Sequence, residues 1–407
     1  MAAAFIGPGT LTVASKAGGQ FGYSLLWAVA FSTFACLVLQ EMSARLGVVA
    51  QAGIGESINN NFNVPLLKPL VIGLVLAAVL IGNAAYESGN LSGGVLGVTS
   101  AFPDMKLGYW KHVIVQLMAA IAFGLLWTAR YKVIERSLIV LVATMGGVFF
   151  TAAILVQPDF SQVVAGLIRP TIPEGGWLIV LGLIGTTVVP YNLFLHASTV
   201  KERWATAEDL VNARLDTAIS VIGGGLITAA ILIVATPYAM NSPANIGSVQ
   251  QTITGGTPVE LGNVIQASSV KLGGWFPWFL ACGFCVAGLS SAITAPLAAA
   301  YVAAELFGWP KELADWRFRV TWVGVLAIGT VFAVYAERPQ QLIVFAQVAN
   351  GLLLPVVAVF LIWVTNNEAV LGRHKNSWRA NFFGGVVVLV TVGLGVVGVL
   401  KAFKVFG

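Results

Sequence analysis

Between Lys68 and Asp104 the only charged side chain is Glu87, and between Trp275 and Glu305 there is none. Apolar stretches of this length do not fit a soluble core, whereas about 20 consecutive apolar residues suffice to cross the hydrocarbon of a bilayer. Such stretches recur along all 407 residues, of which 57% are hydrophobic and 10% charged, where a soluble protein is about a quarter charged. The chain is therefore expected to be an all-α polytopic membrane protein with about 11 transmembrane helices. A soluble enzyme built on one buried core is excluded.

Charged, Pro-rich and Asn-rich breaks divide the apolar runs. They predict helices near 1–19, 22–47, 66–99, 109–128, 134–156, 176–200, 214–237, 259–307, 318–336, 341–365 and 382–404. The third and eighth runs are too long for one straight span, so their ends must project, bend or contain a short separate helix. With the N-terminus in the cytoplasm, most of the 22 Lys and Arg residues, including Arg45, Lys201, Lys311 and Arg373, fall in cytoplasmic loops. That bias predicts a multi-pass protein with its N-terminus inside, and a bacterial inner membrane is the expected location. No cleavable signal peptide is evident. Met1 stands so close to Gly7-Pro8-Gly9-Thr10 that either a cytoplasmic extension precedes it or the first half-helix is unusually short.

The net charge of +5 does not point to nucleic acid, because the basic residues are scattered singly. Cys36, Cys282 and Cys285 lie inside apolar runs, which favours helix packing over a disulfide framework or a zinc site. Asp209, Arg214 and Asp216 are expected to form an ion-pair group at the connection between the sixth and seventh helices.

Two of the predicted helices are interrupted. Gly7-Pro8-Gly9-Thr10 breaks the first, and Val189-Pro190-Tyr191-Asn192 breaks the sixth. Proline removes a backbone donor and glycine tolerates unwound backbone, so each break frees carbonyls at membrane depth, where they need a ligand or water. Paired interruptions in two halves point to a LeuT-like 5+5 inverted repeat whose site lies between the two broken helices. The first repeat would occupy residues 1–156, the second 176–365, and 382–404 would be an appended eleventh helix. A single break could be an ordinary kink; the matched pair argues against that. The chain carries no Walker A sequence, no G-x-S-x-G elbow and no H-E-x-x-H helix, so it is read as a gradient-driven transporter and not an enzyme. No resident cofactor is expected.

Several motifs carry a family resemblance. Ala17-Gly18 with Phe21 to Trp27, the Gln40 to Gly47 stretch, Pro190 to His196, and Gly288-Leu289-Ser290-Ser291 resemble the first, second, sixth and eighth helices of the NRAMP family, the natural-resistance-associated macrophage proteins. That resemblance implies the broken-helix inverted repeat and proton-coupled transport of manganese, iron or similar divalent metals. It also exposes departures. The family's first-helix motif is D-P-G-N, whose aspartate and asparagine bind metal; the matching positions here are Gly7 and Thr10. The family's sixth-helix methionine and alanine are replaced by Val189 and Thr186, and the histidine after the proline by Tyr191, while a second histidine is kept as His196.

The loss of the thioether weakens preference for softer metals. The loss of the aspartate makes a fully dehydrated dication improbable, because neutral oxygens would have to replace its hydration. A cation could instead keep part of its water shell, hydrogen-bonded by Thr10, Thr186, Thr187 and Tyr191, as suits magnesium, or find a carboxylate elsewhere. Glu87 is the best candidate carboxylate, as direct or water-mediated ligand and as part of an ion pathway with His196. Both residues are also readable as structural, Glu87 through a buried hydrogen bond and His196 through packing. The resemblance further implies an aspartate three residues before Glu87, where Ala84 stands, so weak or absent proton coupling is expected. Gln347 and Asn350, three apart on one helical face, could line the path or join helices by hydrogen bonds. Ser290, Ser291 and Thr294 could complete a sodium site.

The expected function is thus an NRAMP-like carrier of a divalent cation of the magnesium or manganese type, operating by alternating access. The alternative is a carrier, sodium-coupled or uncoupled, of a small neutral or zwitterionic organic solute on the same scaffold. A sensor that kept the fold without turnover is a third class. The expected partners are the cargo and the lipid bilayer; the sequence names no protein partner.

Overall fold

Pro8 opens the first helix of the computed structural model, which describes residues 6–61, 65, 67–102, 105, 107–128, 131–241 and 272–402. Helix α1 (Pro8–Phe21) ends at Gly22, whose φ of 57° lets a 3-10 turn, Gly22–Leu25, redirect the chain into α2 (Leu26–Ala50). A short helix α3 (Ile54–Asn61) precedes α4 (Leu67–Ala101), α5 (Leu107–Thr128) and α6 (Tyr131–Leu155). Helix α7 (Phe160–Ile168) leaves α6 at a bend of 119° and is capped by Asp159, which accepts from the Ser161 and Gln162 amides.

The second half begins with α8 (Trp177–Thr187) and α9 (Pro190–Arg203), followed by α10 (Leu210–Asn241) and α11 (Phe276–Phe307). Then come α12 (Trp316–Tyr335), α13 (Pro339–Asn366), α14 (Glu368–Leu371) and α15 (Trp378–Ala402). Among the described residues 9 helical segments are long and apolar enough to cross a membrane, or up to 10 with the bent α6–α7 pair. One of these, Pro8–Ala50, holds both α1 and α2, which the sequence reads as two spans. Residues 1–5 of the expected first helix and 259–271 of the eighth lie outside the described residues.

The third over-long run and the described part of the eighth are each a single helix. Helix α4 is one element of 35 residues and α11 one of 32. At 1.5 Å per residue each is roughly 50 Å long, against about 30 Å of hydrocarbon, so both must tilt or protrude. The short α3, α7 and α14 were not expected, because each is too brief for apolar periodicity to reveal.

Beside a small cluster of Ala44, Val48, Val200, Leu210 and Ala213, two packed cores organise the described residues. Trp322, Phe318, Leu91, Val115 and Ile293 form one, drawn from α4, α5, α11 and α12. The larger joins α1, α2, α6, α8, α9, α10, α13 and α15, with Leu11, Leu183, Phe194 and Leu361 at 0% exposure. Helices α4 and α11 contribute to both cores and pack closely on each other. The α8–α9 segment is the most enclosed span: 89% of its apolar window is buried, against 22% for Gly108–Trp127 in α5. Outward faces carry bare apolar side chains such as Leu117, Ile154, Val320 and Leu389, as a lipid-facing surface requires.

Candidate functional site

The sixth predicted helix is interrupted where its sequence indicates. Val188 leaves the helical conformation, Val189 is extended, and Pro190 then starts α9. Because proline has no N–H, the carbonyl of Thr186 cannot receive the bond that a continuous helix would supply. The last carbonyls of α8 therefore end inside the bundle, forming the negative end of that helix. The described part of the first predicted helix has the matching form: Gly7 caps α1 and Pro8 is its first residue.

The start of α1 meets the end of α8. Thr10 of α1 and Thr186 of α8 share a hydroxyl hydrogen bond of 2.9 Å, with both side chains buried. Thr187 donates to the Leu183 carbonyl at 2.9 Å and accepts from Ser32 of α2 at 3.1 Å. Val189 is buried at the turn and offers no polar side-chain atom. Helix α13 closes against this junction by backbone contact: a side chain at Gly185 would overlap the Gln347 carbonyl.

Gln347 and Asn350 both face inward at 1% and 2% exposure. The Gln347 amide lies where a side chain on Gly9 would stand, which places it against the first turn of α1. Its Oε1 and the Nδ2 of Asn350 have no hydrogen-bond partner among the described residues. Asn350 lies beside α4, its Oδ1 being 3.8 Å from the Cβ position of Gly82.

Gly7 is approached by Tyr86 and Ser291, whose hydroxyl oxygens each lie 3.0 Å from the Cβ position of residue 7. The Tyr86 hydroxyl also bonds with that of Tyr191, and Tyr191 with Thr294. In the sequence Ser291 and Thr294 stand out for a sodium site, and Ser291 also for the eighth-helix resemblance, whereas Tyr86 belongs to neither. No signal in the sequence told which face of α4 turns toward α1.

Glu87 is fully buried but turns to the adjoining face of α4, against Gly329 of α12. One of its oxygens accepts from Asn90 at 3.3 Å, and the other has no partner among the described residues. His196 is held between α2 and α10: Nδ1 meets Gln40 Oε1, and Nε2 lies 3.4 Å from Thr217 Oγ1. Thus Gly7, Thr10, Thr186, Thr187, Gln347 and Tyr191 gather at the breaks, whereas Glu87 and His196 point to neighbouring helices.

Ala84 lines a largely apolar groove between α4, α12 and α13 that opens to the outer face of the bundle, where Val320, Ile328 and Phe345 are exposed, with Ser88 and Thr321 also on its wall. At the α2 end of the bundle the expected ion-pair group is rearranged. Arg214 pairs with Glu41 at 2.7 Å and Asp216 with Arg203 at 3.5 Å, while Asp209 caps its own turn through Thr206.

Comparison with known proteins places this architecture. Residues 1–401 match the model of the natural resistance-associated macrophage protein-like family. The chain belongs to the Nramp family. Curated relatives include the divalent metal cation transporter MntH of Verminephrobacter eiseniae, 23% identical over 99% of this chain and 88% of that protein. The MntH of Burkholderia ambifaria is 25% identical over 98% of this chain and 87% of its own. Among solved structures, a manganese transporter of Eremococcus coleocola superposes with a TM-score of 0.74 at 21% identity, covering 100% of this chain and 86% of that one. A nucleobase-cation-symport-1 family transporter in a closed conformation gives 0.54 at 14% identity, covering 100% and 93%. At these identities the structural matches show the fold alone, and the family rests on the match over residues 1–401.

Proposed function

We propose that this Nramp-family chain moves a divalent metal cation across the membrane by alternating access, with weak or no proton coupling. The observation that carries the reading is the junction of Thr10 and Thr186, 2.9 Å apart, at the carbonyl end of α8. It offers oxygen ligands and the negative end of a helix dipole inside a membrane bundle, both of which suit a cation. The curated relatives named above are divalent metal cation transporters, which supports a metal as cargo over an organic solute.

The donor set supports a cation that keeps part of its water. Thr10, Thr186, Thr187 and Tyr191 are neutral, and the groups nearest Gly7 are the hydroxyls of Tyr86 and Ser291. Neutral oxygens compensate poorly for stripping a dication but hydrogen-bond well to its water. Gln347 and Asn350, each with one unpartnered amide atom, are further acceptors or donors for that water. Weak proton coupling is supported by position 84, one turn from Glu87, where alanine carries no titratable group to relay a proton. In this reading the repeats 1–156 and 176–365 rock about the junction, 382–404 is peripheral, and the N-terminus is cytoplasmic in a bacterial inner membrane.

The test is uptake of manganese, magnesium and calcium into proteoliposomes, with fluorescent reporters and an internal pH dye. Cation entry without acidification is expected. No flux of any dication, in vesicles that hold folded protein, overturns the reading.

A further inference from the structure

Gly7 has no side chain, and the space beside it is filled from two helices far away in sequence. Tyr86 of α4 and Ser291 of α11 each place a hydroxyl oxygen 3.0 Å from the Cβ position. Tyr86 is 1% exposed, and its ring meets that of Tyr191 edge to face, with centroids 5.4 Å apart. The bonds from Tyr86 to Tyr191 and from Tyr191 to Thr294 extend the cluster. Hydroxyls from α4, α9 and α11 thus converge on the start of α1, one turn from the Thr10 and Thr186 pair.

A hydroxyl both donates and accepts, so such a cluster can turn oxygen lone pairs towards the hydrogens of a cation's water shell. It cannot supply the charge that would draw the bare ion out of that shell. Tyr86 is also the member that a simple change can remove cleanly. Phenylalanine keeps the ring and its edge contact with Tyr191 while deleting the oxygen beside Gly7.

We propose that Tyr86 is a cargo-contacting residue that determines selectivity, its hydroxyl taking, with that of Ser291, the place beside the α1 break that a side chain at position 7 would hold. The site is thereby committed to a dication held through its water. This rests on the dication transport proposed above and identifies the contact that sets its preference.

Proteoliposome uptake of magnesium and manganese is compared for wild type, Tyr86→Phe, Gly7→Asp and the double variant Gly7→Asp/Tyr86→Phe. Magnesium holds its water more tightly than manganese, so Tyr86→Phe should raise KM for magnesium about three- to tenfold, the size of one lost hydrogen bond, and lower the magnesium-to-manganese ratio. Asp at position 7 alone is crowded by both hydroxyls. Combined with Tyr86→Phe it gains room, so the double variant should favour manganese more than Gly7→Asp does.

Wild-type KM and ratio in Tyr86→Phe, beside active wild-type vesicles, overturn the role of Tyr86 and leave dication transport standing. Absence of flux in wild type overturns both. If Tyr86→Phe folds but loses all flux, calorimetric titration of the purified variant with magnesium decides: weakened binding supports the proposal and unchanged binding overturns it.

Discussion

The end of the bundle where α3, α9 and α11 meet is closed by one buried carboxylate, and its removal should loosen α9. The Glu305 side chain, 0% exposed, accepts from the Gly55 amide at 3.0 Å, from Lys311 at 3.1 Å and from the Ser198 hydroxyl of α9. Glu56 of α3 adds a second carboxylate, bound by Lys311 at 3.3 Å and by Lys201 of α9 at 3.2 Å. The part of the broken span beyond Pro190 is therefore fastened at its far end by Ser198 and Lys201.

Glu305→Gln keeps the size and removes the charge. Breaking a buried ion pair from one side costs about 3–5 kcal/mol when the partner is left stranded. Lys311 is 28% exposed and keeps Glu56, so the loss belongs at or below the low end of that range. The share that fastens α9 is one charge-assisted bond from Ser198, about 1.5–3 kcal/mol, which shifts a docked-to-undocked equilibrium about ten- to hundredfold. Hydrogen–deuterium exchange, read by mass spectrometry in detergent, measures it directly. Peptides covering residues 54–61 and the end of α9 should exchange faster by that factor, while α10 stays as in wild type. Equal exchange at α9 in the two proteins would refute the fastening role of Glu305.

Three further outcomes follow from the same geometry. Burial alone would push the Glu56 carboxyl up, but Lys311 and Lys201 outweigh it and hold it below the usual range; burial would lower Lys311, but Glu305 and Glu56 hold it above its usual value. A depressed carboxyl contributes stability above its unfolded pKa and loses it as pH falls through the folded one, and the reverse holds for a raised lysine. Protection of α3 should therefore be level from about pH 5 to pH 10 and decline on either side, and a decline already at pH 7 would contradict it. Gly185→Ala drives a methyl group into the Gln347 carbonyl, a backbone contact with no rotamer to relieve it, so thermal unfolding should show a loss of about 1–3 kcal/mol or more. A double-mutant cycle of Thr10→Val and Thr186→Val should return a coupling of about 1 kcal/mol in unfolding free energy; strict additivity would mean that the bond does not hold α1 to α8.

Local chemistry explains what the sequence made legible. The α8–α9 break could be located because Pro190 lacks a donor wherever it stands, and the spans because apolar length is a property of the chain alone. Direction across a bundle is not local. Arg214 was grouped with its sequence neighbours and in fact reaches Glu41 on α2, since at the end of a helix the nearest opposite charge belongs to whichever helix packs there. The clearest case is α4. Glu87 attracts attention because a lone carboxylate in an apolar run is conspicuous, yet it turns to Gly329, and the side chain that reaches Gly7 is Tyr86 beside it. Successive residues on a helix diverge by about 100°, so two neighbours can serve different interfaces, and only the packing of α1, α4 and α11 decides which one meets the break. A hydroxyl is inconspicuous in the sequence for the reason that it suits this place: it enters a buried seam without the desolvation cost of a charge and still offers an oxygen to water.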